Sequence, residues 1–178
     1  MQMLSRTWSA PLTIPAVTFA LTLMAILPSG AMAQSAPDAQ RGDRASLSAC
    51  LRENAASPAA CIGSLAFACL RSQEGAAPGR DVGCMRREEA AWRERLDASL
   101  QTLGRSLDAG RRARLAAFQR SFESYTAEKC ALMADLSPPA RAGLSSAACE
   151  LREVAMRAVE VERQARRTAT PSAPRIER

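Results

Sequence analysis

The sequence predicts an all-α fold: a disulfide-bonded helical bundle of three long helices preceded by a short N-terminal helical hairpin. Three observations carry that prediction. Beyond residue 80, apolar residues recur at spacings of three, four and seven, the mark of a helix with one buried stripe. After the first 33 residues no segment alternates apolar and polar side chains between turn formers, so strands are not expected. Six cysteines (Cys50, Cys61, Cys69, Cys84, Cys130 and Cys149) follow what reads as an export signal. An even set of thiols delivered to an oxidising compartment is expected to form three disulfides.

The elements follow in order. Residues 1–33 read as a signal peptide, with Arg6 as its positive charge, an apolar core over 16–27, the breaker Pro28-Ser29-Gly30 and the cleavage pattern Ala31-Met32-Ala33. The apolar run is shorter than the roughly 20 residues a spanning helix needs. Residues 34–43 are expected as a flexible leader, and 44–80 as the cysteine-containing hairpin and its loop. In that hairpin one helix covers 44–54, and a second starts with Pro58 in its first turn and ends at Arg71. Residues 72–80, with Gly75, Pro78 and Gly79, read as a loop.

The domain over 81–167 holds the long helices. Asp81 caps the first, over 82–107, whose stripe is Met85, Trp92, Leu96, Leu100, Leu103 and Leu107. Asp108-Ala109-Gly110 permits either a bend or a continuous helix. The next helix, 111–134, carries Leu115, Phe118, Phe122, Tyr125 and Leu132. After Pro138-Pro139, Ser145 or Ser146 caps the last helix, with Leu151, Val154, Ala158 and Val161 as its buried stripe. Residues 168–178, with Pro171 and Pro174, are expected to form a disordered tail.

Six cysteines allow fifteen pairings, and hairpin geometry filters them. Residues equidistant from a turn lie level and reach the short Cα separation a disulfide requires. Cys50 pairs with Cys61, Cys69 with Cys84 and Cys130 with Cys149 on this reading. A competing arrangement joins Cys50 to Cys69 and Cys61 to Cys84.

Composition excludes several chemistries. There are 24 Lys and Arg against 18 Asp and Glu, a net charge of +6 that loss of the signal would lower by one. Lys129 is the sole lysine, and the arginines are scattered among acids as on ordinary solvated helix faces. The chain has no histidine, which removes mixed Cys/His zinc sites, a Cys–His nucleophile and a Ser–His–Asp triad. Glu88, Glu89, Glu94, Asp97, Glu150, Glu153, Glu160 and Glu162 stand at helical spacing to Arg86, Arg93, Arg152 and Arg157, as surface ion pairs do. No phosphate loop, calcium loop or dinucleotide fingerprint occurs. The expectation is therefore a protein that is not an enzyme, with no catalytic residue, metal or cofactor.

The string from Cys84 to Asp97, with Glu88, Glu89, Trp92 and Leu96, is followed by Leu115, Gln119-Arg120, Tyr125, Cys130 and Cys149. This pattern resembles the lysozyme inhibitor LprI-like domain family of exported bacterial proteins, over about half of the chain beyond the signal. Phe122 stands where that family usually has Trp, Thr126 where it has Arg, and Phe118 where it has a small residue. The resemblance implies an all-helical, disulfide-bonded periplasmic domain and inhibition of lysozyme or another muramidase.

Two partner readings follow. In the first, the loop 137–143, clamped by a Cys130–Cys149 bridge, meets a muramidase and Arg141 faces its catalytic carboxylates. In the second, Arg105, Arg111, Arg112, Arg114 and Arg120 form a basic face of an envelope adaptor that binds another periplasmic protein or an anionic envelope polymer. Both place the chain in the periplasm or outside the cell, with neither nucleic acid nor stable membrane insertion expected.

Overall fold

Where apolar spacing, caps and breakers agree, helices form, and a computed structural model describes them over residues 35–72 and 79–169. The order is α1 (Ser35–Glu53), a 3-10 turn (Pro58–Cys61), α2 (Ser64–Arg71), α3 (Arg80–Arg105), α4 (Ala109–Asp135), a second 3-10 turn (Pro139–Arg141) and α5 (Ala142–Ala169). The described residues contain no strand, so the all-α bundle of three long helices and an N-terminal hairpin is what forms. The expected signal peptide, residues 73–78 of the expected loop and residues 170–178 of the expected tail lie outside the described residues.

The ion pairs fix the directions of the long helices. Arg86 meets Glu150 and Arg95 meets Glu162, so α3 and α5 ascend together. Lys129 meets Glu153 while Gln119 meets Arg157, so α4 runs antiparallel to α5. The core lies along the α3–α5 contact, where Trp92 and Leu96 pack with Val154, Ala155, Ala158 and Val161, each no more than 2 % exposed. Leu47 and Leu51 of α1 and Leu65 and Ala66 of α2 close one side of it. Burial of the Trp92 and leucine side chains contributes about 1.5–3 kcal/mol apiece.

One buried acid organises the hairpin. Glu88 is fully buried; its Oε1 accepts from the Gly63 amide (2.7 Å) and from Trp92 Nε1 (3.0 Å), and its Oε2 from the Ala66 amide (2.8 Å). Gly63 and Ala66 are the N-cap and third residue of α2, the two donors that a capping box satisfies within its own helix. Here one carboxyl group from α3 satisfies both. Gly63 has φ of +94°, and a Cβ there would stand 3.0 Å from the Phe67 ring, so glycine is required.

The cysteines join consecutive elements as Cys50–Cys61, Cys69–Cys84 and Cys130–Cys149, with Cα separations of 5.9, 5.7 and 5.5 Å. No free cysteine is present among the described residues.

Several boundaries differ from expectation. The leader expected over 34–43 is helical from Ser35, because α1 extends back to where Asp43 is buried and held by a bidentate Arg87 contact at 2.6 Å. The helix expected from Pro58 to Arg71 breaks at Ile62-Gly63, where the left-handed glycine turns its amide to Glu88. Gly79, not Asp81, caps α3; Asp81 sits in the first turn and accepts from the Val82 amide. The bend option is realised between α3 and α4, since the Asp108 side chain accepts from the Arg111 amide at 2.8 Å and starts a new helix. Neither Ser145 nor Ser146 caps α5, which begins at Ala142 directly from the 3-10 turn. Thr168 and Ala169, expected in the tail, complete α5.

The largest departure concerns α4. Its stripe was expected to be buried, yet Phe118, Tyr125 and Leu132 are 59 %, 53 % and 56 % exposed, and Thr126 and Cys130 are the buried residues. The reason is that the apolar face of α3 is already spent on α5, which leaves α4 one narrow edge of α5 to pack against.

Glu88→Ala is expected to lower stability by about 3 kcal/mol or more, because two buried donors and one half-buried donor lose their acceptor. Glu88→Gln, which keeps an acceptor oxygen, should cost less. Urea unfolding followed by helicity measures both; equal, small losses would contradict this role.

Candidate functional site

Arg141 lies in the 3-10 turn between α4 and α5. Its amide donates to the Pro138 carbonyl at 2.8 Å, and Ser137 Oγ is 2.7 Å from both the Met133 carbonyl and the Ser145 hydroxyl. Cys130–Cys149 closes the base of this loop. Pro138, Pro139, Ala140 and Arg141 are all exposed, and the Arg141 guanidinium meets no described acid. The turn is therefore a stiff projection tipped by a free cation.

The second group of expected residues separates. Arg111 is spent on the helix start, its Nε 2.6 Å from Asp108 Oδ2, and Arg112 Nη2 donates to the Leu107 carbonyl at 3.2 Å. Arg105 donates to Thr102 Oγ1. Arg114 and Arg120 are exposed without a described partner, but six positions on one helix put them on different faces. The basic cluster thus does not converge on one point.

Other side chains depart from the surface pairing that their spacing predicts. Glu88 is a buried acceptor of amide and indole protons rather than a surface ion pair. Glu89, 8 % exposed, bridges Arg86 at 3.0 Å and Arg93 at 2.8 Å, and Arg93 continues to Glu123 on α4. Arg157 is 7 % exposed, with its guanidinium 4.6 Å from the Phe118 ring centre and 5.7 Å from that of Phe122. Its charge is met by Glu160 at 2.7 Å, and the two rings cover it by cation–π contact. The signal for this was the pair of aromatics one turn apart on α4, but nothing local tied them to a residue some 35–39 positions later.

Apolar surface is the other salient feature. Phe118, Tyr125 and Leu132 follow one another at intervals of seven on α4, with Leu136 74 % and Met133 44 % exposed beyond them. Tyr125 also carries Lys129 5.5 Å above its ring. A separate cleft of about 570 Å³ lies between α3 and α4, lined by Leu100, Gly104, Arg105, Arg112, Leu115 and Gln119. Thr126 is buried with its hydroxyl lacking a hydrogen-bond partner among the described residues, on the face of α4 that packs inward. Among the described residues no group of His, Cys, Asp or Glu is arranged to hold a metal ion, and no helix is long and apolar enough to cross a membrane. No protein-family model, curated protein or solved structure matches this chain.

Electrostatics ties α3 to α5. The Arg86 guanidinium, paired with both oxygens of Glu150, holds that carboxyl below the ordinary glutamate value of 4.5, and Glu150 in turn raises Arg86. At Glu162, burial favours the neutral acid, but Arg95 and Arg166 outweigh it and the carboxyl is again lowered. A carboxyl lowered by folding stabilises the fold above its unfolded pKa, and that contribution is lost as pH falls through the folded value. The urea midpoint should therefore drop with acidification below about pH 4.5. Glu150→Gln should be less stable than wild type at pH 7 and show a shallower acid decline.

Proposed function

We propose that this chain is an exported, disulfide-braced binding protein of the periplasm or cell exterior that inhibits a muramidase, the activity implied by its resemblance to the lysozyme inhibitor LprI-like family. The observation that carries the reading is the stiff turn presenting Arg141, closed by Cys130–Cys149 and unengaged by any described acid. Muramidases cleave with a pair of carboxyl groups in a groove. A guanidinium is suited to such a target because it binds a carboxylate with two parallel hydrogen bonds. A pre-stiffened loop loses little conformational freedom on docking. The net charge of +6 disfavours approach to strongly basic lysozymes, so the preferred target is an enzyme with an acidic groove. Three disulfides and the signal-like residues 1–33 support an oxidising location.

The alternative, an adaptor for an envelope protein or anionic envelope polymer, is favoured by Arg114, exposed and without a described partner near the basic α3–α4 turn.

The oxidised protein should slow cell-wall lysis by an acidic muramidase when in molar excess. Arg141→Glu should weaken that inhibition by at least about 30-fold, as loss of a buried charge contact does. Unchanged lysis across basic, acidic and endogenous muramidases would refute inhibition. Salt-sensitive retention on an anionic glycan, lost in Arg112→Glu with Arg114→Glu, would instead establish the adaptor reading.

A further inference from the structure

Among the described residues, no apolar face covers the stripe on α4. Phe118, Tyr125 and Leu132 lie at intervals of seven, and seven residues are close to two helical turns, so the three side chains form one nearly straight ridge. Leu136 extends it at the carboxyl end. From Phe118 to Leu136 the ridge is about 27 Å long. With exposures between 53 % and 74 %, these four side chains leave on the order of 400 Å² of largely apolar surface open, within the roughly 300–600 Å² of the largest patch on a typical soluble monomer, which is often functional.

Of the exposed charges beside the ridge, Glu128 lies near its centre, and Arg114 and Asp135 lie near its ends. Arg114 and Asp135 flank its two ends, both are exposed, and neither forms an ion pair with a described residue. Arg114 lies eleven positions before Tyr125 and Asp135 ten positions after it. Their angular positions on α4 differ by about 60°, so both edge the ridge on its side away from Lys129 and Arg157. The central part of the ridge is symmetric as well, because Phe118 and Leu132 each stand seven residues from Tyr125, while Leu136 at its end is matched by Arg114.

We infer that α4 is a homodimerisation surface, with a second copy of this chain packed antiparallel about a two-fold axis through Tyr125. In that register Phe118 of each copy covers Leu132 of the other, and Tyr125 meets its own symmetry mate. Arg114 at one end reaches Asp135 of the opposite copy, twice per dimer. Charge selects this direction over the alternative. A parallel pair would set Arg114 against Arg114 and Asp135 against Asp135, two repulsions where the antiparallel pair has two attractions. The antiparallel arrangement also separates the two arginine-bearing α3–α4 turns to opposite ends, which suits a chain of net charge +6. A two-fold contact is the commonest way such a self-complementary patch is closed. This surface does not include Arg141, so the inference is independent of muramidase inhibition, and it shares Arg114 alone with the adaptor reading.

Tyr125 is the single tyrosine of the chain, which makes the native protein its own probe. Photo-oxidative dityrosine coupling of the unmodified protein should give a covalent dimer whose cross-linked peptide joins Tyr125 to Tyr125. Sedimentation across ~1–100 µM should show a reversible dimer. Leu132→Glu should weaken it by at least about 30-fold while leaving helicity unchanged, since the residue is exposed. Arg114→Glu and Asp135→Arg should each weaken it about 10-fold through two lost ion pairs and two new repulsions, and the double reversal should restore it to within about threefold of wild type. A monomer at every concentration overturns the inference. A dimer that yields no dityrosine and ignores Leu132→Glu overturns the surface, and one that the double reversal fails to restore overturns the antiparallel register.

Discussion

The amino-terminal third of the molecule depends on a single carboxyl group. Glu88 belongs to α3, yet it supplies the cap that α2 lacks because Gly63, without a side chain, stands at the N-cap. The same group receives the Trp92 indole, so one residue couples the start of α2 to the largest side chain of the core. Cys50–Cys61 and Cys69–Cys84 bracket this junction covalently. Each such closure typically contributes about 2–4 kcal/mol by restricting the unfolded chain. An alanine-rich core with few rings buries modest area per residue, and polar capping with cross-linking compensates for it.

A different economy governs α4. Its inward face offers Thr126 and Cys130, and its attachment to α5 rests on Cys130–Cys149, Lys129 with Glu153, and Arg157 beneath Phe118 and Phe122. Polar and covalent ties hold the helix while much of its apolar surface stays outside. The disulfide that anchors α4 also closes the base of the turn carrying Arg141, while Phe118, Tyr125 and Leu132 of α4 stay exposed. Both features arise because α3 and α5 pair so completely that the third long helix is left at their edge.

The helical character of the chain, its break near Pro58 and the three cysteine pairs were legible in the sequence, because each depends on spacing along the chain. Level positions across a turn are a local geometric fact, and so is the apolar stripe of Leu151, Val154, Ala158 and Val161. The candidate residues were legible only by type. Arg111 and Arg112 proved to be occupied with Asp108 and the Leu107 carbonyl, whereas Arg114 and Arg141 were left without described partners. A guanidinium looks the same in sequence whether or not an acceptor awaits it.

What the sequence by itself determined is the set of helices and the covalent pairing, since periodicity, turn residues and cysteine spacing act over a few turns of chain. Only the tertiary structure decided which stripes are buried and which acids are solvated. The α3 and α4 stripes look alike in sequence, but α5 presents one broad apolar face and α3 takes it, leaving Phe118, Tyr125 and Leu132 outside. Glu88 and Glu89 are neighbours in sequence, but 100° of helical rotation turns one toward the α2 amides and the other toward Arg86 and Arg93. Burial is a property of what lies opposite a side chain, and that is set by the packing of distant segments.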